Sequence, residues 1–299
     1  MVSGAPASCK HTSNALPHGS WRDELHDLLR AASGGFLFAV PLLYTLEMWE
    51  IGVMAELWQL LVFLGVALVI NLALAHSRSG GFKEDTDWFA TVEQAVDAIA
   101  VGILGAGLVL LVTHKVGPGE PLSSTLGRVL ALAAPLSIGA AVAAAIFGPR
   151  GDRSRQGGEA GDGQAPASAW QAFCSDLGAT CLGAIFLGAS IAPTDEVTRL
   201  AIELPPEHQI AVVALSLLLS YMIVFVSGFS PSAHQQPGPF QHPITETTLA
   251  YVVALAVALA SLLLFDRVDL QDPPAHILAM TIVLGLPAAV GGAAGRLVV

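Results

Sequence analysis

GGFLFAVPLLYTLEMW, residues Gly34–Trp49, places the carboxylate of Glu47 in an otherwise apolar run. A second stretch, GAIFLGASIAPTDE at Gly183–Glu196, repeats the glycine start, the apolar body, a proline and a closing Thr-x-Glu. An acid at the centre of a membrane helix costs about 2.5 to 3.5 kcal/mol on insertion scales. An acid that recurs in both halves of the chain is therefore a candidate for function.

The composition around these stretches is that of a membrane protein. Hydrophobic residues make up 54% and charged residues 12% of the 299 residues, and the mean hydropathy is +0.65. Soluble domains carry about 25% charged residues. Apolar segments near the length that a bilayer requires occur about eight times. They are residues 34–53, 57–76, 91–112, 126–147, 172–192, 210–229, 245–265 and 277–299. We predict an all-α polytopic protein that crosses the lipid bilayer about eight times.

Pro41 lies inside the first of these segments. Membrane helices tolerate a proline where neighbouring groups satisfy the carbonyl that it leaves without a donor. We therefore predict a kinked but continuous first helix.

Matching residues in the two halves indicate an internal repeat. The separations are about 149 to 154 residues for Thr45 and Thr194, Glu56 and Glu207, Thr91 and Thr245, and Pro135 and Pro287. A shared separation is what a duplication leaves behind. Because four helices per repeat is an even number, the repeats 34–148 and 169–299 are predicted to be parallel, related by a pseudo-two-fold axis along the membrane normal. Chance similarity between apolar helices is the alternative interpretation.

Basic residues indicate the orientation. Nine of the 13 lysines and arginines fall on the side of the N-terminal tail (1–33), the Gly-rich and polar linker (149–168) and the C-terminus. Positively charged loops remain in the cytoplasm. Both termini and the flexible linker are therefore predicted to be cytoplasmic.

One candidate site is an outer acidic set at the non-cytoplasmic ends of the first and fifth segments. It comprises Glu47, Glu50, Asp195 and Glu196, with the hydroxyl groups of Thr45 and Thr194 nearby. Clustered oxygens suit hard cations, and buried carboxylates suit proton transfer. We expect Glu47 to point into the bundle, towards the second repeat. The alternative is that these acids cap helix ends, which is favoured for Glu50 and Asp195.

A second candidate is a polar set nearer the cytoplasm. It consists of Asn71, Glu93, Gln94 and Asp97 in the first repeat and Thr245, Glu246 and Tyr251 in the second. Glu93 and Asp97 are four residues apart and share one helix face. Asp97 lies a turn deeper and is the better pathway candidate, whereas proximity to lipid headgroups explains Glu93. Asp176, flanked by small polar residues, is a further candidate.

Other classes of function find little support. A net charge of −11 with scattered basic residues argues against nucleic-acid binding and suits cations. We find no zinc-protease, nucleophile-elbow, P-loop or dinucleotide motif, so we predict no enzyme and no cofactor, although a lipid-modifying enzyme stays a minor alternative. Metal binding by His234 and His242, in a proline-rich loop, is left open.

The extended motif GGFLFAVPLLYTLEMWEIG and the eight-helix layout resemble a family of bacterial integral membrane proteins whose activity is uncharacterised. The resemblance covers residues 30–299, and its specific part is the first segment with Tyr44, Thr45, Glu47 and Trp49. It implies a location in the bacterial inner membrane and no particular activity.

Two functions from different classes follow. The first is a channel or secondary transporter for small cations or protons, with a pathway through Glu47, Glu196, Thr45, Thr194, Asp195, Asp97 and Asn71. The second is a non-transporting scaffold or sensor subunit that binds a partner through glycine-rich helix faces. Such faces suit both intramolecular packing and a homo-oligomer, and the sequence does not separate these two uses.

The orientation is tested with reporter tags at the N-terminus, within residues 149–168 and at the C-terminus. All three should report the cytoplasm, because the basic residues cluster on that side. A linker tag that reports the opposite side would reverse the predicted side of every loop.

Overall fold

The computed structural model describes residues 21–78, 88–117, 119–147, 169–226 and 243–297. Within these ranges the chain forms ten α-helices and no strand. They are α1 (Trp21–Leu43), α2 (Leu46–Met54), α3 (Leu57–Arg78), α4 (Trp88–Val112), α5 (Leu122–Phe147), α6 (Ala169–Ile191), α7 (Asp195–Glu203), α8 (Pro206–Tyr221), α9 (Pro243–Leu264) and α10 (Pro274–Gly295). A π-helical turn, Met222–Val226, extends α8.

The predicted all-α polytopic architecture is confirmed. Seven helices are long and apolar enough to cross a membrane, and the number is eight if α1 and α2 together form one bent span. The helix α1 begins at Trp21, so residues 21–33 of the predicted tail continue directly into the first membrane segment. Residues 1–20 and the predicted linker 149–168 lie outside the described ranges.

The prediction of a kinked but continuous first helix is wrong. The chain leaves the helix at Leu43, resumes it at Leu46, and bends by 88° between α1 and α2. Carbonyl groups at the end of α1 find donors locally. The Thr45 hydroxyl donates to the carbonyl of Leu42 at 2.8 Å, and the indole N–H of Trp49 donates to that of Leu43 at 3.1 Å. A helix can end within an apolar region when its last carbonyls are satisfied in this way.

A similar break follows α6. Thr194 donates its hydroxyl to the carbonyl of Ile191 at 2.8 Å, and the nine-residue helix α7 begins at the next residue. The apolar segments predicted from the sequence do not include α7. Its signals were a threonine at the N-cap position, two acids in the first turn and a proline, Pro205, just beyond the end.

Each half of the chain packs around its last helix. A long helix, a nine-residue helix and three long helices follow one another in both halves, and α5 and α10 lie at the two centres. The helix α10 is buried almost continuously from Ala279 to Ala293. Small residues allow the central helices to approach their neighbours closely. A Cβ atom on Gly139 of α5 would lie 2.9 Å from the carbonyl oxygen of Gly35 in α1, and one on Gly183 of α6 would overlap that of Gly291 in α10.

One buried hydrogen bond joins the halves at the middle of α10. Pro287 has no N–H, so the carbonyl of Val283, four residues earlier, loses its helical donor. The hydroxyl of Tyr44 donates to that carbonyl at 2.8 Å. Tyr44, which is 4% exposed, comes from the break between α1 and α2. The first half thus satisfies a group that the second half leaves unpaired.

Three further polar contacts join the halves near the same break. We call this region the break end, comprising residues 44–57, 113–117, 119–121, 192–206 and 265–274. The contacts pair Leu46 N–H with a Glu196 carboxylate oxygen at 3.4 Å, the His114 and His208 rings at 3.2 Å, and Lys115 with Glu203 at 2.5 Å.

Replacing Tyr44 by Phe should destabilise the protein by about 1 to 3 kcal/mol, because the carbonyl of Val283 becomes a buried, unsatisfied acceptor. In a Pro287→Ala background the same change should cost less, since the new N–H of residue 287 can donate to that carbonyl. Unfolding in detergent measures both steps of this double-mutant cycle.

Tyr221→Phe is the matched control, because Tyr221 is exposed on α8. Equal costs of Tyr44→Phe in the two backgrounds would contradict the coupling between Tyr44 and Pro287.

Candidate cation site

A cavity of about 510 Å³ lies between α1, α3, α4 and α5, at the opposite end of the bundle from the break end. We call it the first-half cavity. Its lining combines small apolar residues with charged and amide side chains: Asp27, Leu28, Arg30, Ala31, Asn71, Ala75, Glu93, Gln94, Asp97, Ala98, Ala140, Ala141 and Ala144. The volume falls in the range of small-molecule sites.

Acidic side chains outnumber basic ones in this lining. Asp27, Glu93 and Asp97 contribute three carboxylates against the single guanidinium of Arg30. Glu93 and Asp97 reach the cavity together because residues four apart share one helix face. The excess of negative charge favours a cationic ligand.

Asn71 adds an unpaired amide to the same lining. Its side chain is fully buried, and neither its amide nitrogen nor its amide oxygen has a hydrogen-bond partner. Buried polar atoms are nearly always paired, so an orphan amide needs an explanation. In a cavity lined by carboxylates, this amide offers one acceptor and two donors to a bound molecule.

The corresponding end of the second half is organised around Arg296. Its guanidinium forms ion pairs with Glu246 and with Asp176, the latter at 3.6 Å, and lies 5.8 Å from the centre of the Phe225 ring. The arginine side chain is only 8% exposed. The carboxylates of Asp176 and Glu246 therefore share a cation that the chain itself supplies.

The predicted inner polar set thus divides between two places. Asn71, Glu93, Gln94 and Asp97 come together in the first-half cavity, whereas Glu246 pairs with Arg296 in the other half. Thr245 and Tyr251 do not line the cavity. Sequence reasoning missed Asp27 and Arg30, which it placed in the tail. Their signal was the presence of charged residues one turn apart, directly before the first apolar run.

The outer acidic set does not form a common site. Glu47 is exposed on α2, so the expectation that it points into the bundle is wrong. The buried face of α2 carries Trp49 and Gly52. Glu47 lies two residues before Trp49, about 200° around the helix from it.

Other members of this set have local partners. A carboxylate oxygen of Glu196 accepts the N–H of Leu46, so this acid lies at the N-terminus of α2, where a helix end favours negative charge. Asp195 is exposed and pairs with Arg267 at 2.8 Å. The hydroxyls of Thr45 and Thr194 donate to carbonyls within their own turns.

The described residues contain no cluster of metal-ligating side chains. In that part of the chain, no group of three or more His, Cys, Asp or Glu side chains is placed to hold a metal ion. His234 and His242 lie outside it.

The length and apolar composition of the helices are those of an integral membrane protein with several spans. The chain belongs to the DUF2391 family of integral membrane proteins, and the match extends over residues 27–299. The predicted membership of a family of integral membrane proteins is thereby confirmed. No curated protein and no solved structure matches the chain.

Asn71→Leu should raise the unfolding midpoint in detergent, with a gain of about 1 to 2 kcal/mol, because it removes a buried amide that has no partner. Ser216→Ala is the control. The Ser216 hydroxyl is buried but donates to the carbonyl of Val212 at 2.7 Å, so its removal should bring no gain. A lower midpoint for Asn71→Leu would contradict the orphan state of the amide.

Proposed function

We propose that this protein is a channel or secondary transporter for small cations or protons. The observation that carries the proposal is the first-half cavity, which is lined by three carboxylates together with the unpaired amide of Asn71. Ionisable groups within membrane helices are costly and typically mark ion or proton pathways. A merely structural polar group would be expected to have a partner within the chain, as Arg296 has in Glu246, whereas the buried Asn71 amide has none.

Asp97 and Asn71 are the proposed central residues of the pathway, with Asp27 and Glu93 at its mouth. At the break end, Glu196 is the member of the outer set that contacts the other half, and we propose it as the second acid. For Glu47, Asp195, Thr45 and Thr194, the exposure or local pairing described above favours structural roles.

We further propose that the two halves arose by duplication and are parallel repeats. The support is the equal order of elements, the threonine at each break and the close glycine contacts of α5 and α10 with the first helix of their half. In this proposal both termini are cytoplasmic, the membrane is the bacterial inner membrane, and the protein has no enzymatic activity.

The alternative is a scaffold or sensor subunit that does not transport. Several glycines that suggested a partner surface, such as Gly139 and Gly291, pack within the chain. The apolar outer face of α3 is what favours the alternative. Gly65 has open space around it, and Leu61, Val62, Val66 and Val69 are exposed beside it, so this face is available to lipid, a partner or a second copy.

Flux through reconstituted vesicles tests the proposal. Asp97→Asn should reduce cation or proton flux by about tenfold or more, because the neutral amide keeps the size but loses the charge. Glu196→Gln should reduce it less. Glu47→Gln and Glu50→Gln, two exposed acids, should retain the parent flux and serve as matched controls.

Equal flux for the parent and Asp97→Asn would remove the cavity from the pathway. A parent protein that moves no cation or proton under any imposed gradient would favour the scaffold alternative.

A further inference from the structure

Corresponding helices meet around a charged site in each half of the chain. In the first half α1, α3, α4 and α5 line the cavity. In the second half the contributors are Asp176 from α6, Phe225 from the π-turn after α8, Glu246 from α9 and Arg296 just after α10. These elements occupy the same places in the order of each half.

The acids of the two sites also correspond in sequence. Asp176 follows Asp27 by 149 residues, and Glu246 follows Glu93 by 153. Both offsets fall within the 149 to 154 residues that separate the proposed repeats. The same kinds of helix position thus carry carboxylates in both halves.

The two halves differ at the position of Arg296. Arg296 follows Ala144 by 152 residues, the offset that also separates Pro135 from Pro287 in the same pair of helices. Ala144 lines the first-half cavity. Where the second half has this guanidinium between two carboxylates, the first half has the methyl group of Ala144, and its own arginine, Arg30, comes from α1 instead.

Carboxylates that line one cavity repel one another unless a positive charge lies among them, and Asp27, Glu93 and Asp97 are exposed side chains that share the first-half cavity. In the second half Arg296 supplies that charge. In the first half Arg30 supplies one positive charge for three carboxylates, so two carboxylates are in excess. The orphan amide of Asn71 lies in the same lining.

We propose that the first-half cavity binds a small organic cation with a guanidinium group, in the place that corresponds to Arg296 in the second half. This inference rests on the proposed function and names its substrate class. A planar guanidinium matches carboxylates with paired N–H donors, and the Asn71 amide oxygen can accept a further one. The cavity volume of about 510 Å³ suits a molecule of several heavy atoms.

Calorimetric titration tests the inference. Guanidinium chloride in the millimolar range is titrated into the purified full-length protein in detergent, with sodium chloride at equal ionic strength as the reference. The parent should bind one guanidinium per chain. Ala144→Arg should weaken this binding by about tenfold or more and keep the parent unfolding midpoint, because the new side chain brings its own guanidinium to the carboxylates.

Two further variants and a control accompany this substitution. Arg296→Ala should bind a second guanidinium, and guanidinium should raise its unfolding midpoint more than sodium does. Asp97→Asn should weaken guanidinium binding by about tenfold or more. This variant tests the same site if the Ala144→Arg protein does not fold. Glu50→Gln, at the break end, should bind as the parent does.

Absence of saturable guanidinium binding by the parent, or parent-like binding by a folded Ala144→Arg protein, would overturn the inference. Flux assays separate this result from the proposed function. Vesicles that move sodium, potassium or protons, while the protein binds no guanidinium, would refute the inference alone. Guanidinium binding without any flux would refute transport and leave the binding site.

Discussion

The hydrogen bond from Tyr44 to the carbonyl of Val283 is the contact on which the arrangement of the two halves depends. Pro287 creates the need for it by removing a helical donor from the most buried helix of the bundle. A membrane interior offers no water to satisfy that carbonyl, so a donor must come from protein. Tyr44 can reach it because α1 has ended one residue earlier. The break between α1 and α2 in one half therefore supplies the donor that Pro287 removes in the other half.

Charge is distributed unequally between halves of equal construction. One half has an arginine between two acids, and the other presents three acids, one arginine and an unpaired amide to a cavity. In the first arrangement the ion pairs of Arg296 join three helical segments of the chain. In the second arrangement negative charges exceed positive ones and an amide has no partner, so a bound cation can contribute binding energy. A protein with two similar halves can in this way use one as scaffold and the other as site.

Features that depend on the local order of residues, such as the membrane spans and the faces of single helices, could be predicted from the sequence. Hydropathy located the spans to within a few residues at most ends, since burial in lipid is a property of each segment alone. The helical spacing of Glu93 and Asp97 predicted their shared face. The break after Leu43 was missed because it depends on the hydrogen bonds of Thr45 and Trp49, which a hydropathy profile does not contain. The inward direction assigned to Glu47 failed for the same reason, since the bend sets which face of α2 is buried. The pairing of Arg296 with Glu246 joins residues 50 positions apart and follows from tertiary packing.

The four polar contacts described above between the halves involve residues of the break end, with Val283 in the middle of α10 as the deepest partner. The first-half cavity lies at the other end. The halves also pack together away from the break end, because α1 contacts the π-turn Met222–Val226. This turn carries Phe225, which lies beside Arg296 in the second half, while α1 carries Asp27 and Arg30 of the first-half cavity. A shift of α1 would therefore act on the charged sites of both halves at once.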